Sequence, residues 1–207
     1  MRLLYGTTNP AKLDAMRRLT QSLGLIIDGP ADVGLTVPPV DESGRTPLDN
    51  AVLKARACYA AWGQPVFSCD SGLYFDGVAD DEQPGVHVRR VGGRELTDAE
   101  MIAYYGGLSA RHGGRLIGRY RNAICLVMGS GRIFTAADDT LSTEPFILAS
   151  RPHPHVTPGF PLDSLSVDIA TGQYYNDLSE KTLAQFAVDR GCLAFFSGVL
   201  AALNPPH

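Results

Sequence analysis

The chain has 207 residues, 44% apolar and 19% charged, a balance that fits one globular domain with room for two lobes. A formal net charge of −4 without a basic stripe argues against a dedicated nucleic-acid binder, so a polyanionic ligand has to be met locally. No run approaches the ~18 apolar residues of a membrane span, the opening MRLLYGTTNP lacks a signal-peptide core, and the four cysteines form no C-x-x-C pair; the expectation is a reduced cytoplasmic protein.

In chain order, Leu3-Leu4-Tyr5 predicts a short strand ending at Gly6 and Thr7. Asn9 reads as an N-cap and Pro10 as the first helical residue, with Leu13, Met16, Leu19 and Leu23 at helical spacing and Gly24 closing the helix. Leu25-Ile26-Ile27 predicts a second strand, and this opening favours an α/β fold with mixed pairing. Thr46-Pro47-Leu48-Asp49 has the hydroxyl, first-turn proline and acidic third residue of a capping box, starting a helix that reaches Trp62 ahead of Gly63. Val66-Phe67-Ser68-Cys69 predicts a buried strand carrying Asp70 at its C-terminal end. A third helix opens at Thr97 with Glu100, and Tyr120 to Met128 with Ile133 to Leu141 predicts a hairpin across Gly129-Ser130-Gly131. Arg151 to Phe160 reads as a loop. A last helical region runs from Ser179 to about Leu203, broken at Gly191.

Three pieces carry candidate chemistry. In Thr7-Thr8-Asn9-Pro10-Ala11-Lys12 a strand turns directly into a helix N-terminus, whose free N–H groups and dipole suit phosphate. Lys12 on the first turn is unfavourable for the helix itself, which points to an anionic ligand; a plain N-cap with a solvated lysine explains the same residues. In the second, Asp41-Glu42-Ser43-Gly44 leads into the capped helix, where Asn50 and Lys54 share one face. An acidic loop before an amphipathic helix is the ordinary alternative. The third, Ser68-Cys69-Asp70-Ser71-Gly72-Leu73, places a carboxylate where open α/β sheets bind ligands. Glu42 and Asp70 supply oxygen ligands for Mg²⁺, with Lys12 and Lys54 complementing phosphate charge.

These residues resemble the inosine triphosphate pyrophosphatase (Ham1-like) family. Thr7 to Lys12 is similar to its T-x-N-x-x-K opening, and Glu42 to Thr46 with Asp49 to Ala55 to its E-x-G-x-T…[DE]-N-A-x-x-K-A segment. Cys69-Asp70-Ser71-Gly72-Leu73 resembles D-D-S-G-L, with Cys69 in place of the first aspartate, and Pro84-Gly85-Val86 with Arg89 or Arg90 resembles P-G-x-x-[SA]-R. Later, Gly159-Phe160-Pro161-Leu162-Asp163 resembles G-F-G-[YW]-D without its aromatic. Lys181 matches a lysine whose Ser-His-Arg continuation is absent at Gln185-Phe186-Ala187.

The resemblance implies an elongated mixed β-sheet flanked by helices, with two lobes around a nucleotide cleft. The whole chain, 1–207, would be one pyrophosphatase domain, cytoplasmic and commonly homodimeric, with no nucleic-acid or membrane partner. Its reaction would be Mg²⁺-dependent hydrolysis of noncanonical purine nucleoside triphosphates to monophosphate and pyrophosphate. Asp70 and Lys54 would be catalytic and Glu42 and Asp70 would hold the metal. Thr7, Asn9, Lys12, Asn50, Ser71, Arg89, Phe160, Asp163 and Lys181 would bind substrate. The missing Ser-His-Arg leaves base preference open. The alternatives are a pyrophosphatase for another modified or pyrimidine nucleotide, and a nucleotide-binding sensor without catalysis. His153-Pro154-His155 lacks a third metal ligand and reads as surface; Arg111, Arg115, Arg119 and Arg121 read as solvated.

Overall fold

The structure is a computed structural model that describes residues 1–179 and 187–204. It is a mixed α/β protein with a large sheet of strand order β2-β1-β3-β6-β8-β9, β7 adding to β6. The strands are β1 (Arg2–Tyr5), β2 (Ile26–Asp28), β3 (Val66–Phe75), β6 (Arg115–Val127), β7 (Ile133–Ala136), β8 (Phe146–Ala149) and β9 (Ser166–Asp168). A separate ribbon joins β4 (Arg90–Val91) to β5 (Arg94–Glu95). The β1 strand pairs parallel with β2 and β3, whereas β6 pairs antiparallel with β7 and β8. Among the described residues no helix is long and apolar enough to cross a membrane.

Two compact units divide the described chain, one from Met1–Ser71, Arg121–Ser142 and 187–204, the other from Gly72–Tyr120 and 143–179. In the first, side chains alternate across the strands, as a pleated backbone requires. Leu3, Tyr5, Phe67, Ile124 and Leu126 meet α1 (Pro10–Thr20) and α4 (Ala187–Leu203) through Met16, Phe196 and Val199. The opposite face, with Leu4, Val66, Ala123 and Cys125, is covered by Ala51, Ala55 and Cys58 of α2 (Pro47–Trp62). The alanines of α2 let the helix lie close to the sheet. In the second unit, α3 (Asp98–Arg111) packs Tyr105 and Leu108 against Leu73, Phe75, Leu116, Phe146 and Leu148.

Most predicted elements form where expected. Gly24 and Gly63 take left-handed conformations at helix ends, with φ of 65° and 75°, and the 129–131 link joins an antiparallel pair as predicted. Two expectations are corrected. First, β3 does not stop at Cys69 but runs to Phe75, so Asp70 lies mid-strand. Partners for its carboxylate make the buried charge tolerable, and Leu73 exchanges backbone hydrogen bonds with Gly85 at 2.9 and 3.0 Å, carrying the extended chain past Gly72. Second, Gly191 does not break the last helix, which is continuous from Ala187 to Leu203. A Cβ there would run into the Thr140 carbonyl, so this glycine serves close packing rather than a bend. The part of that helical region predicted over 180–186 lies outside the described residues.

Candidate active site

The first unit gathers a polar cluster beneath the start of α2. Thr46 Oγ accepts from the Asp49 N–H at 3.2 Å and the Asp49 carboxylate accepts from the Thr46 N–H at 3.0 Å. Such a cap is worth about 1 kcal/mol and fixes the helix register. That register turns Asn50 and Lys54, one turn apart, onto β3. Asn50 is 1% exposed; its Nδ2 donates to Asp70 Oδ2 at 3.1 Å while its Oδ1 accepts from the Gly44 N–H at 2.9 Å. Lys54 Nζ reaches Asp70 Oδ1 at 2.5 Å and Glu42 Oε2 at 3.4 Å. Asp70 is 9% exposed, and both of its oxygens are engaged.

Beside this cluster, the turn after β1 and the start of α1 form one wall of a concavity of about 170 Å³, lined among others by Thr7, Lys12, Glu42, Lys54, Cys58 and Cys69. Asn9 is the N-cap predicted, its Oδ1 accepting from the N–H of Ala11 at 2.9 Å and of Lys12 at 3.3 Å. Thr7 Oγ1 accepts from the Asn9 N–H at 3.2 Å. Lys12 makes no side-chain hydrogen bond or ion pair among the described residues. Lys12 is exposed as a residue, yet desolvation of its ammonium, and after it the charge of Lys54, pulls its pKa below the ordinary lysine value. An anion would relieve both effects. Cys69, next to Asp70, is a neutral thiol: burial pushes it up to about 12, only partly offset by Tyr5, Lys12 and Lys54.

The other predicted residues are placed as follows. Ser71 is half-buried on β3 next to Asp70. Arg89, Phe160 and Asp163 belong to the second unit. There the Arg89 guanidinium donates to the Leu96 carbonyl at 3.0 Å and to Asp98 Oδ1 at 2.8 Å, so its polar contacts are internal to that unit. Phe160 precedes the short turn Pro161–Ser164, which contains Asp163. Burial raises the Asp163 carboxyl to about 6. Lys181 lies outside the described residues. His153, read as surface, is instead half-buried, with Nε2 at 3.2 Å from Asp177 Oδ1 and its ring beside Tyr174.

Sequence reasoning missed the Gly44 latch on Asn50, because a backbone N–H meeting a side chain six residues on leaves no motif. It also missed Ser68, whose buried hydroxyl has no partner among the described residues. A larger concavity of about 370 Å³ lies elsewhere in the first unit, beside Leu4, Val33 and Trp62. Its charged groups are already satisfied, Arg2 by Asp28 and Asp32 by Arg17, each at 2.5 Å, so it offers no free donor set.

The donor chemistry suits a hard divalent cation. Glu42 and Asp70 converge on one position already occupied by positive charge, the Lys54 ammonium. Among the described residues no three His, Cys, Asp or Glu side chains gather into a closed cage. Magnesium typically takes only one or two carboxylates and fills its remaining positions with water and phosphate oxygens, a requirement two carboxylates can meet.

A sequence model of the Ham1 family matches residues 3–140, the stretch that contains this whole cluster. The chain belongs to the Ham1 family. A protein named dITP/XTP pyrophosphatase in an Exiguobacterium species is 32% identical over 139 residues, covering 65% of this Ham1 chain and 67% of that protein. Another of the same name, in Anaeromyxobacter dehalogenans, is 44% identical over 91 residues, 44% of this chain and 37% of its own length. Matches to these curated relatives therefore span between 37% and 67% of the relatives' length. The solved structure of a HAM1 protein from Coxiella burnetii shares the fold with a TM-score of 0.74, over 98% of this chain and 99% of its own, at 22% identity. The Ham1 fold thus continues where the sequence matches stop.

Proposed function

We propose that this Ham1 chain is a nucleoside triphosphate pyrophosphatase that hydrolyses noncanonical purine nucleoside triphosphates to monophosphate and pyrophosphate. The observation that carries the reading is the Glu42–Lys54–Asp70–Asn50 cluster beside an unpaired Lys12 at a helix N-terminus. Carboxylates for a metal and two lysines for phosphates meet in one unit, and relatives named dITP/XTP pyrophosphatase match that part of the chain.

In this reading Lys12 and Lys54 bind phosphoryl oxygens, and the N–H groups at the start of α1 add their dipole. Asp70, oriented by Asn50 through Oδ2, positions a water for attack on the α-phosphorus and accepts its proton. Mg²⁺ held by Glu42 and Asp70 would neutralise charge that builds on the leaving oxygens. The substrate-binding roles of Thr7, Asn9, Ser71, Arg89, Phe160, Asp163 and Lys181 rest on the family resemblance. So do a homodimer, a cytoplasmic location serving the free nucleotide pool, and a single domain spanning 1–207.

The test is a panel of triphosphates (dITP, XTP, the four standard nucleotides and modified pyrimidines), each with and without Mg²⁺, following pyrophosphate and orthophosphate separately. Magnesium-dependent pyrophosphate release, fastest with dITP or XTP, is expected. Orthophosphate as the sole product, or tight nucleotide binding without turnover, would overturn it.

A further inference from the structure

We propose that Lys54 is a built-in counter-ion: it holds the cation position between Glu42 and Asp70 in the nucleotide-free protein and yields it only when a triphosphate arrives. The inference rests on the pyrophosphatase reading for the identity of the anion, though not for the geometry. Lys54 is the largest obstacle to a metal ion here, because its Nζ lies 2.5 Å from Asp70 Oδ1 and 3.4 Å from Glu42 Oε2. Its side chain is 18% exposed and that of Asp70 is 11% exposed, so the pair is screened little by solvent. The remaining Asp70 oxygen is taken by Asn50, itself latched by the Gly44 N–H. Each Asp70 oxygen thus already carries a donor, and the donor on Oδ1, the Lys54 ammonium, is shared with Glu42.

Charge balance points the same way. The concavity presents Lys12 and Lys54 against Glu42, with Asp70 on Lys54. A bare divalent cation entering this site would add positive charge with no compensating anion, and would have to evict an ammonium from a partly desolvated carboxylate. A triphosphate reverses both terms. Its oxygens offer Lys54 and the unpaired Lys12 new anionic partners, and the Asp70 oxygen that Lys54 leaves becomes available together with Glu42. The consequence is ordered binding: the free enzyme ignores divalent ions, and the cation site is created by the substrate.

Mn²⁺, as a spectroscopic stand-in for Mg²⁺, tests this by electron paramagnetic resonance of free against bound ion. Wild type is titrated without nucleotide and with the α,β-methylene analogue of ITP, and nucleotide-free Lys54→Met and Lys54→Met/Asp70→Asn proteins are titrated alongside. Wild type is expected to bind Mn²⁺ at least tenfold more weakly without the analogue than with it. Without nucleotide, K54M is expected to bind Mn²⁺ at least tenfold more tightly than wild type, a gain that the added D70N abolishes. Equal wild-type affinity with and without the analogue, or a folded K54M no tighter than wild type, would overturn it. Should K54M fail to fold, Lys54→Gln, which removes the charge and keeps a polar stem, is titrated in its place, and an affinity no tighter than wild type overturns the account. If wild type releases no pyrophosphate from any nucleotide, the activity reading fails, yet K54M against wild type still decides the counter-ion role.

Discussion

Two largely buried carboxylates, Asp70 in the first compact unit and Asp163 in the second, are treated in opposite ways. In the first, Asp70, Asn50 and Lys54 are withdrawn from water but bound to one another, so each buried charge or amide meets its complement. In the second, Asp163 sits near Tyr120 and Tyr175 with no hydrogen bond to its carboxylate among the described residues, and burial alone raises it to about 6. The Asp70 cluster is built on satisfied charge, whereas Asp163 is a carboxyl left unsatisfied. A satisfied cluster is pre-organised for chemistry, whereas an unsatisfied polar group is an opening for a ligand's hydrogen bond.

Breaking the satisfied cluster has the largest effect. Asp70→Asn keeps the shape and the Asn50 contact but removes the charge, so turnover should fall by roughly 10³-fold or more while the circular dichroism stays native. Near-normal pyrophosphate release would remove Asp70 from the mechanism. Gly44→Ala probes the same cluster indirectly, because a Cβ there would collide with Asn50 Oδ1 and press on the backbone nitrogen of Asn50. A drop of about 10- to 100-fold in kcat/KM is expected, on the scale of a misplaced catalytic group. Retained activity would show that the latch does not position Asn50.

The unsatisfied carboxyl gives the next effect, of opposite sign. Because the folded pKa of Asp163 lies above its unfolded value, the folded state binds the extra proton. Its stability therefore falls as pH rises from about 4 to about 6 and stays lower above that. Asp163→Asn removes the ionisable group, so it should stabilise the protein above pH 6, by at most about 3 kcal/mol, and change little below pH 4. Melting temperatures of both proteins across this range check it, and a gain that does not depend on pH would contradict it. The smallest effect is at Ser68. Removing its unpartnered hydroxyl in Ser68→Ala should leave stability unchanged or raise it by up to about 1 kcal/mol. A marked loss in melting temperature would show that the hydroxyl is paired after all.

The same contrast explains what could be read from the sequence. The first unit announces itself because its chemistry rides on local devices. A capping box at Thr46 and Asp49 sets the helix register, and the four-residue spacing of Asn50 and Lys54 then dictates a shared face. Asp70 was recognisable as a charge in an apolar run, but its mid-strand position was not, because the partners that make it tolerable come from α2, about twenty residues away. Gly191 misled for a similar reason: its role is set by Thr140, far away in sequence, whereas a glycine in a helical pattern reads locally as a break. In the second unit the burial of Asp163 depends on tertiary neighbours that no local pattern encodes. The family model likewise ends at residue 140, while the fold likeness continues over 98% of the chain.

In the proposed reaction this cluster directs water to the α-phosphorus of a nucleoside triphosphate. The most direct measurement is hydrolysis of dITP in ¹⁸O-labelled water with Mg²⁺, followed by mass spectrometry of the products. Label in the nucleoside monophosphate, with unlabelled pyrophosphate, is the predicted result. Label in pyrophosphate would place the attack on the β-phosphorus, and label in orthophosphate on the γ-phosphorus; either would contradict the mechanism assigned to Asp70, Lys54 and Glu42.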